Sequence, residues 1–293
     1  MAGAQMTLDT EQVIRLALAR IGDIATLPEV TAKIISIVDD PKSTAHDLHH
    51  IIKNDPALAT KILKVVNSAF YGLPGQVSDL DRAIVLLGLS AVKNIAISAS
   101  ISRLFTTEKI SDKFNARDIW KHSVAVGVVT REFCCRIGKK AFAEEAFLAG
   151  LIHDLGLLIE RQAFPEQLSD VIRSICKNNR PICEVEMEML GADHQSLGSA
   201  LAAKWKFPRP LQAVLGYHHR IESLAEDQRL LPTLVYIADT LACHERIGFY
   251  LTGDEQDVDD VLLETVGLSE ADFGEVREQL PEYIQSAESM LSD

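Results

Sequence analysis

The chain has 293 residues, of which 47% are hydrophobic and 24% charged, with a formal net charge of -13; this is the composition of a folded protein of one large or two ordinary domains. The acidic balance argues against nonspecific nucleic-acid binding, which needs a surplus of Lys and Arg facing phosphate. No apolar run reaches the ~18 residues of a membrane span, and the start of the chain lacks the basic-then-apolar pattern of a secretory signal.

In chain order the apolar period is helical. Val13, Leu16, Ala17 and Ile21 recur at helical spacing, and Val30, Ile34, Ile35 and Val38 do the same behind Pro28. Thr44 with Asp47 has the form of a capping box, and Asp55-Pro56 reads as an N-cap followed by proline at the first helical position. Tyr71-Gly72-Leu73-Pro74-Gly75 is a loop. Ser78 with Asp81 is expected to start a helix that stops near Gly88, and Ser90 to restart it. The glycine turn between those two helices superficially resembles a helix-turn-helix, but such a turn is ordinary packing in an α protein, and the acidic charge argues against DNA binding. Alternation of period two is not sustained anywhere, so the expected class is all-α. A composition break at residues 105–118 divides the chain into an N-terminal helical part, 1–110, and a second part, 111–293. An acidic stretch, 252–260, reads as a loose surface segment. The five cysteines, Cys134, Cys135, Cys176, Cys183 and Cys243, contain no CxxC. Neither a disulfide framework nor a cysteine zinc site is expected, and a reducing cytoplasm is the natural setting.

The second part holds the chemistry. His122, His153, His194, His218 and His219 lie there with Asp154 and Asp239, and imidazole with carboxylate is the ligand set of Fe, Mn, Zn or Ni. Asp154 and Asp239 sit in strongly apolar segments, where a carboxylate must be paired with a metal, an arginine or a lysine. Asp118, one turn before His122, could orient it or ligate directly. Asp193 or Ser196 could cap the helix that His194 begins. His218 and His219 point about 100° apart on a helix end; both could ligate, or one could be solvated. His46, His49 and His50 read as a solvated helix face.

The order of these groups resembles the HD superfamily of metal-dependent phosphohydrolases and, more closely, the HDOD family. The resemblance runs through Leu27-Pro28-Glu29, Asp55-Pro56-Ala57-Leu58, Asn67-Ser68-Ala69-Phe70-Tyr71, Ala83-Ile84 to Leu87-Gly88, His153-Asp154-Leu155-Gly156, His194 to Gly198, Trp205 and His218-His219. It covers roughly residues 25–245. It implies an HD-like multi-helix bundle and a regulatory role in bacterial signal transduction. It also implies one metal set of His122, His153, Asp154 and Asp239, with Asp154 bridging to a second set of His194, His218 and His219. The related HD-GYP phosphodiesterases carry a lysine where this chain has Leu157, and a Gly-Tyr-Pro signature where Arg220-Ile221-Glu222-Ser223 stands. The function expected is therefore a regulatory HDOD protein that binds one or two metal ions or a nucleotide-like phosphate ligand. The alternatives are an active phosphohydrolase, with Lys121 or Lys204 contacting phosphate, and a metal-free helical scaffold. The chain lacks a fused receiver, kinase or cyclase segment, so signalling proteins are the expected partners.

Overall fold

The computed structural model describes residues 9–22, 28–38, 40, 42–68, 70–105 and 115–291. The first eight residues, Leu27, Ala69 and positions 106–114 of the composition break lie outside the described residues. Every regular element among those described is a helix, as the periodicity predicts.

The N-terminal part carries α1 (Thr10–Arg20), α2 (Glu29–Val38), α3 (Ala45–Ile52), α4 (Pro56–Val66), α5 (Leu80–Leu87) and α6 (Leu89–Ile101). Local chemistry sets their starts. Asp9 accepts from the Gln12 N–H while the Gln12 side chain accepts from the Asp9 N–H. Thr44 and Asp47 form the reciprocal box at α3, and Asp55 caps α4 ahead of Pro56. Two starts differ by a residue from the sequence reading. Asp79, not Ser78, accepts from the Arg82 N–H, and Ser78 donates its hydroxyl to Asp79 instead; a carboxylate at that position also complements the helix dipole. α6 restarts directly on Leu89 behind Gly88, without Ser90 as its cap. From Val92 to Ile101 α6 is buried on every side, which leaves the second helix of the Gly88 turn no face to offer a DNA groove. His46 and His50 are exposed, and His49 meets Asp81 on the surface, as a solvated face would.

The second part carries α7 (Ala116–Arg136), α8 (Ala143–Ile152), α9 (Leu155–Ala163), α10 (Pro165–Asn178), α11 (Ile182–Met189), α12 (His194–Lys204), α13 (Arg209–Tyr217), α14 (Leu230–His244), α15 (Asp260–Val266) and α16 (Glu270–Leu291). α7 is the axis: α8, α14 and α16 pack on it, while α9 and α13 both pack on α12. The two parts share one hydrophobic cluster that runs from Val13 to Ala287, with α1 lying on α9 and α12 and α6 on α8. The Phe70-Tyr71 segment is bound into this junction. Arg131 Nε donates to Glu144 at 3.0 Å, the Tyr71 hydroxyl donates to the other Glu144 oxygen, and the Arg131 guanidinium lies 4.5 Å from the Phe70 ring.

Two close approaches decide where the histidines end up. α7 and α8 cross at Gly127 and Gly150, where a Cβ on Gly150 would fall 2.7 Å from the Gly127 Cα. α9 meets the start of α12 at Gly156, where a Cβ would fall 1.8 Å from the His194 carbonyl oxygen. A side chain at either glycine would push apart the backbones that carry His122, His153 and His194. The acidic stretch at 252–260 is only partly a surface segment: Asp257, Asp259 and Asp260 are exposed, but Thr252 and Gly253 are buried, because the turn after α14 folds over the inner ends of these helices.

Candidate metal centre

Five segments of the chain converge on one buried point. His122 comes from the second turn of α7, His153-Asp154 from the junction of α8 and α9, His194 from the first residue of α12, His218-His219 from the end of α13, and Asp239 from the middle of α14. His122, His153, Asp154, His194, His218 and Asp239 have at most 1% of their surface exposed. Asp154 stands between two groups. Its Oδ2 lies 3.2 Å from His153 Nε2 and 3.9 Å from His122 Nε2, and its Oδ1 lies 3.5 Å from both His194 Nε2 and His218 Nε2. Asp239 Oδ1 closes the first group at 3.0 Å from His122 Nε2 and 3.9 Å from His153 Nε2. His219 closes the second, its ring 5.2 Å from that of His194.

The outer nitrogens of four of the five histidines are committed; His122 Nδ1 has no hydrogen-bond partner. His153 Nδ1 donates to Gly150 O at 2.7 Å and His218 Nδ1 to Val214 O at 2.8 Å, which fixes the tautomer and leaves each Nε2 lone pair pointing inward. His194 Nδ1 is 2.8 Å from Glu186, which also accepts from the His194 peptide N–H. His219 Nδ1 meets Gln256, and its peptide N–H donates to Gln195 at 2.9 Å. The inner atoms have no such partners. Nε2 of all five histidines, both oxygens of Asp154 and Oδ2 of Asp239 are buried without a hydrogen bond, the short ion-pair distances lacking hydrogen-bond alignment. A buried polar atom left unsatisfied costs about 1–3 kcal/mol, so a convergence of this many marks a place built for something else to bind. Nitrogen and carboxylate lone pairs facing one another, with Asp154 offering one oxygen to each group, fit divalent transition-metal ions. Asp154, His194, His218 and His219 could hold one; on the other side His122, His153 and Asp154 form one possible set and His122, Asp239 and Cys243 another.

The electrostatics agree with that donor set. Burial opposes charge on Asp154, yet the neighbouring His153, with His218 and His194, holds its carboxyl well below the usual range. Asp239 is likewise held low against burial, chiefly by His122. Burial pushes His218 down, and burial with the adjacent His218 pushes His219 well down, so both favour the neutral, ligating form. Burial would lower His153 and His194 too, but the charges of Asp154 and Glu186 outweigh it. Among the described residues the ion pairs of Asp154 and Asp239 are all with histidines; the arginine or lysine partner that the sequence leaves open does not occur.

Several sequence-level assignments change. Lys121 and Lys204 are exposed, and Lys121 lines a surface cleft with Glu245 and Arg277, so neither faces the buried centre. Asp118 does not orient His122, whose Nδ1 has no partner; its backbone carbonyl accepts from the Phe249 N–H instead. Of the two capping options beside His194, Asp193 is the cap, accepting from the Ser196 N–H at 2.8 Å. Cys243 lies beside Asp239 and donates its thiol to Oδ1 at 3.3 Å, and burial pushes that thiol well up, so it supports the carboxylate as a neutral donor. Glu186, Gln195 and Gln256 escape sequence reading, because they stand on polar stretches with nothing to separate them from surface residues. Glu160 carries a readable signal, a carboxylate inside Leu157-Leu158-Ile159-Glu160, and it is fully buried with burial and then Glu186 raising it well above the ordinary range.

Residues 24–221 match the HDOD domain model. The chain belongs to the HDOD family. An uncharacterized protein of Treponema pallidum (strain Nichols) is 27% identical over 220 residues, 75% of this chain and 42% of that protein; this chain thus spans less than half the length of that relative. An HDOD domain protein of unknown function from Geobacter sulfurreducens superposes with a TM-score of 0.80 at 22% identity, covering 97% of this chain and all of that one (100%). A Shewanella amazonensis SB2B protein, provisionally named a phosphohydrolase, gives 0.72 at 21% identity over 96% of this chain and 98% of its own. A Marinobacter aquaeolei VT8 protein, provisionally named a signal transduction protein, gives 0.73 at 20% over 97% and 64%. At these identities the likeness establishes the HD-like helical fold.

Proposed function

We propose that this HDOD chain is a regulatory module of bacterial signal transduction, acting in the cytoplasm. Its buried centre holds up to two divalent transition-metal ions, Fe, Mn, Zn or Ni, and binds a nucleotide-like phosphate ligand with little or no turnover. The ligands are His122, His153, Asp154 and Asp239 for one ion and His194, His218 and His219 for the other, with Asp154 shared. The observation that carries this reading is the set of inward-facing nitrogen and oxygen atoms that have no hydrogen-bond partner. Such ions would supply Lewis acidity that polarises a phosphoryl oxygen and acidifies water. The chain's own residues orient the ligands and exclude solvent, and among the described residues no lysine reaches the centre: Leu157 is buried and apolar where HD-GYP enzymes have a cation. The N-terminal part, 1–110, is the docking subdomain and 111–293 the metal-binding one. Val85 on α5 is 80% exposed beside Leu86, an apolar face suited to a signalling protein.

A second reading, an active phosphohydrolase, is favoured by one observation. Asp154 presents a different oxygen to each ligand group, the arrangement a two-ion hydrolase needs. Elemental analysis of untagged protein, followed by a turnover assay on bis(p-nitrophenyl) phosphate, separates the readings. Bound metal without turnover supports the regulatory module. Metal with turnover favours the hydrolase, and no metal after reconstitution overturns both.

A further inference from the structure

The centre is sealed, yet one of its residues touches open space. His219 lines a cleft of about 670 Å³ between the end of α13, the outer face of α14 and α15, together with Leu230, Thr233, Tyr236, Leu262 and Thr265. A volume of that size suits a small organic molecule. The turn after α14 backs His219 at the end of this cleft, and Gln256 ties that turn to His219 and Thr240. Its side chain bonds His219 Nδ1 and lies 2.9 Å from the Thr240 hydroxyl. Its carbonyl oxygen accepts from His244 Nε2 at 2.9 Å. In the structure Gln256 Oε1 accepts from the Thr240 hydroxyl, while its Nε2 faces His219 Nδ1 and lies 3.5 Å from Thr252 O; because the Thr240 hydroxyl can donate to Tyr236 O instead, exchanging the amide oxygen and nitrogen would let Gln256 accept from His219 Nδ1–H. That orientation also leaves His219 Nε2 free for the centre. Next in the same turn, Gly253 leaves only 3.2 Å between a would-be Cβ and Asp239 Oδ2, so the turn rests on the centre like a plug.

We propose that this cleft is the entrance to the metal centre and that Gln256 is its gate, released when the His219 contact opens; the proposal rests on the metal-centre reading above. The cleft also limits what enters. Glu222 and Glu226 are on its wall, and the Arg229 guanidinium is spent on the carbonyls of Leu224 and Glu222. With acid on the wall and its arginine engaged, the cleft suits a molecule whose body is neutral or cationic and carries one phosphoryl group, and it repels a polyphosphate.

The test reads access to His219 at the end of the cleft rather than activity. Full-length metal-free protein is treated with diethyl pyrocarbonate, and carbethoxylation of His219 is followed by peptide mass mapping, with the exposed His46 and His50 as internal references. Gln256→Ala should raise the His219 rate about tenfold, the effect of losing one latch hydrogen bond, at unchanged helical signal. Gln256→Glu, which still accepts from Nδ1–H, should stay near wild type. Adding Thr265→Trp to Gln256→Ala should cancel the gain by filling the cleft. Equal His219 rates in wild type and Gln256→Ala would overturn the gate, and no effect of Thr265→Trp would overturn the route. Metal content, measured separately on wild type, tests the underlying reading; a chain that takes up no metal sinks that reading while the modification rates still decide the gate.

Discussion

Lys93 and Asp154 are both buried charged residues in apolar helical surroundings, and they are treated in opposite ways. Lys93 Nζ donates to Ile37 O and Ser43 Oγ, so its donors tie α6 to the end of α2 and the loop beyond it. Asp154 has two oxygens with no hydrogen bond, and the imidazoles around it turn their lone pairs inward. A buried polar group that is satisfied inside the protein belongs to the structure. A group of them left open toward a common point belongs to a ligand. Lys93 follows the first rule, and the second part is organised around the second.

The comparison breaks most sharply at the centre itself. His153→Ala with Asp154→Ala should abolish metal binding, since it removes His153 from the first group and the carboxylate that both groups share, while the helical circular dichroism persists. Lys93→Met should do the reverse: metal content by elemental analysis unchanged, and a stability loss of about 1–3 kcal/mol in denaturant titration from the two acceptors left unpaired. Equal metal in wild type and the double variant would end the distinction.

Gly156→Ala tests whether packing places the ligands. The added methyl must displace the His194 carbonyl, so we expect about 1–3 kcal/mol of destabilisation or more, together with weaker metal uptake by equilibrium dialysis. A destabilised variant with wild-type uptake would show that His194 finds its place without the α9–α12 contact.

Glu160 sharpens the same contrast, because it is a buried carboxyl outside the ligand set. Burial, and then the charge of Glu186, raise its pKa well above the usual value. A raised folded-state pKa means that the native state binds the proton more tightly. Its stabilising contribution is complete below the unfolded pKa of ~4.3 and is lost as pH rises toward the folded value. Glu160→Gln removes that loss. Its stability relative to wild type should therefore grow between ~pH 5 and ~pH 8, read by urea titrations. A constant difference across that range would mean Glu160 is ionised in the fold.

Much of this was legible in the chain itself, for identifiable reasons. Helical period, the Thr44–Asp47 box and Asp55-Pro56 are local signals, and the elements they predict are present. His122, His153, Asp154, His194, His218, His219 and Asp239 are brought together from five separate segments, and Asp154 and Asp239 stood out because carboxylates in apolar runs need partners. Glu186 and Gln256 were not legible, since their roles arise only when α11 and the turn after α14 reach the backs of His194 and His219. Lys121 and Lys204 misled because proximity in sequence to a histidine or to a glycine-rich helix says nothing about which face a lysine takes. The folding of Thr252 and Gly253 over the centre was hidden by the acidic residues that follow them, of which Asp257, Asp259 and Asp260 do face solvent.

The smallest effect separates two adjacent residues. At the start of α5 the sequence favours Ser78 as the cap, and the structure puts Asp79 there, its backbone extended and its carboxylate 2.8 Å from the Arg82 N–H. Asp79→Ala should then cost about 1 kcal/mol, measured by thermal or urea unfolding. Ser78→Ala removes only a hydroxyl that donates to that carboxylate from an exposed site, and should cost a fraction of that. Because α5 also carries the exposed Val85, loosening its first turn should alter the proposed docking face while leaving the metal centre untouched. Loss of metal in Asp79→Ala would mean that the N-terminal part and the centre are not the separable regions the comparison makes them.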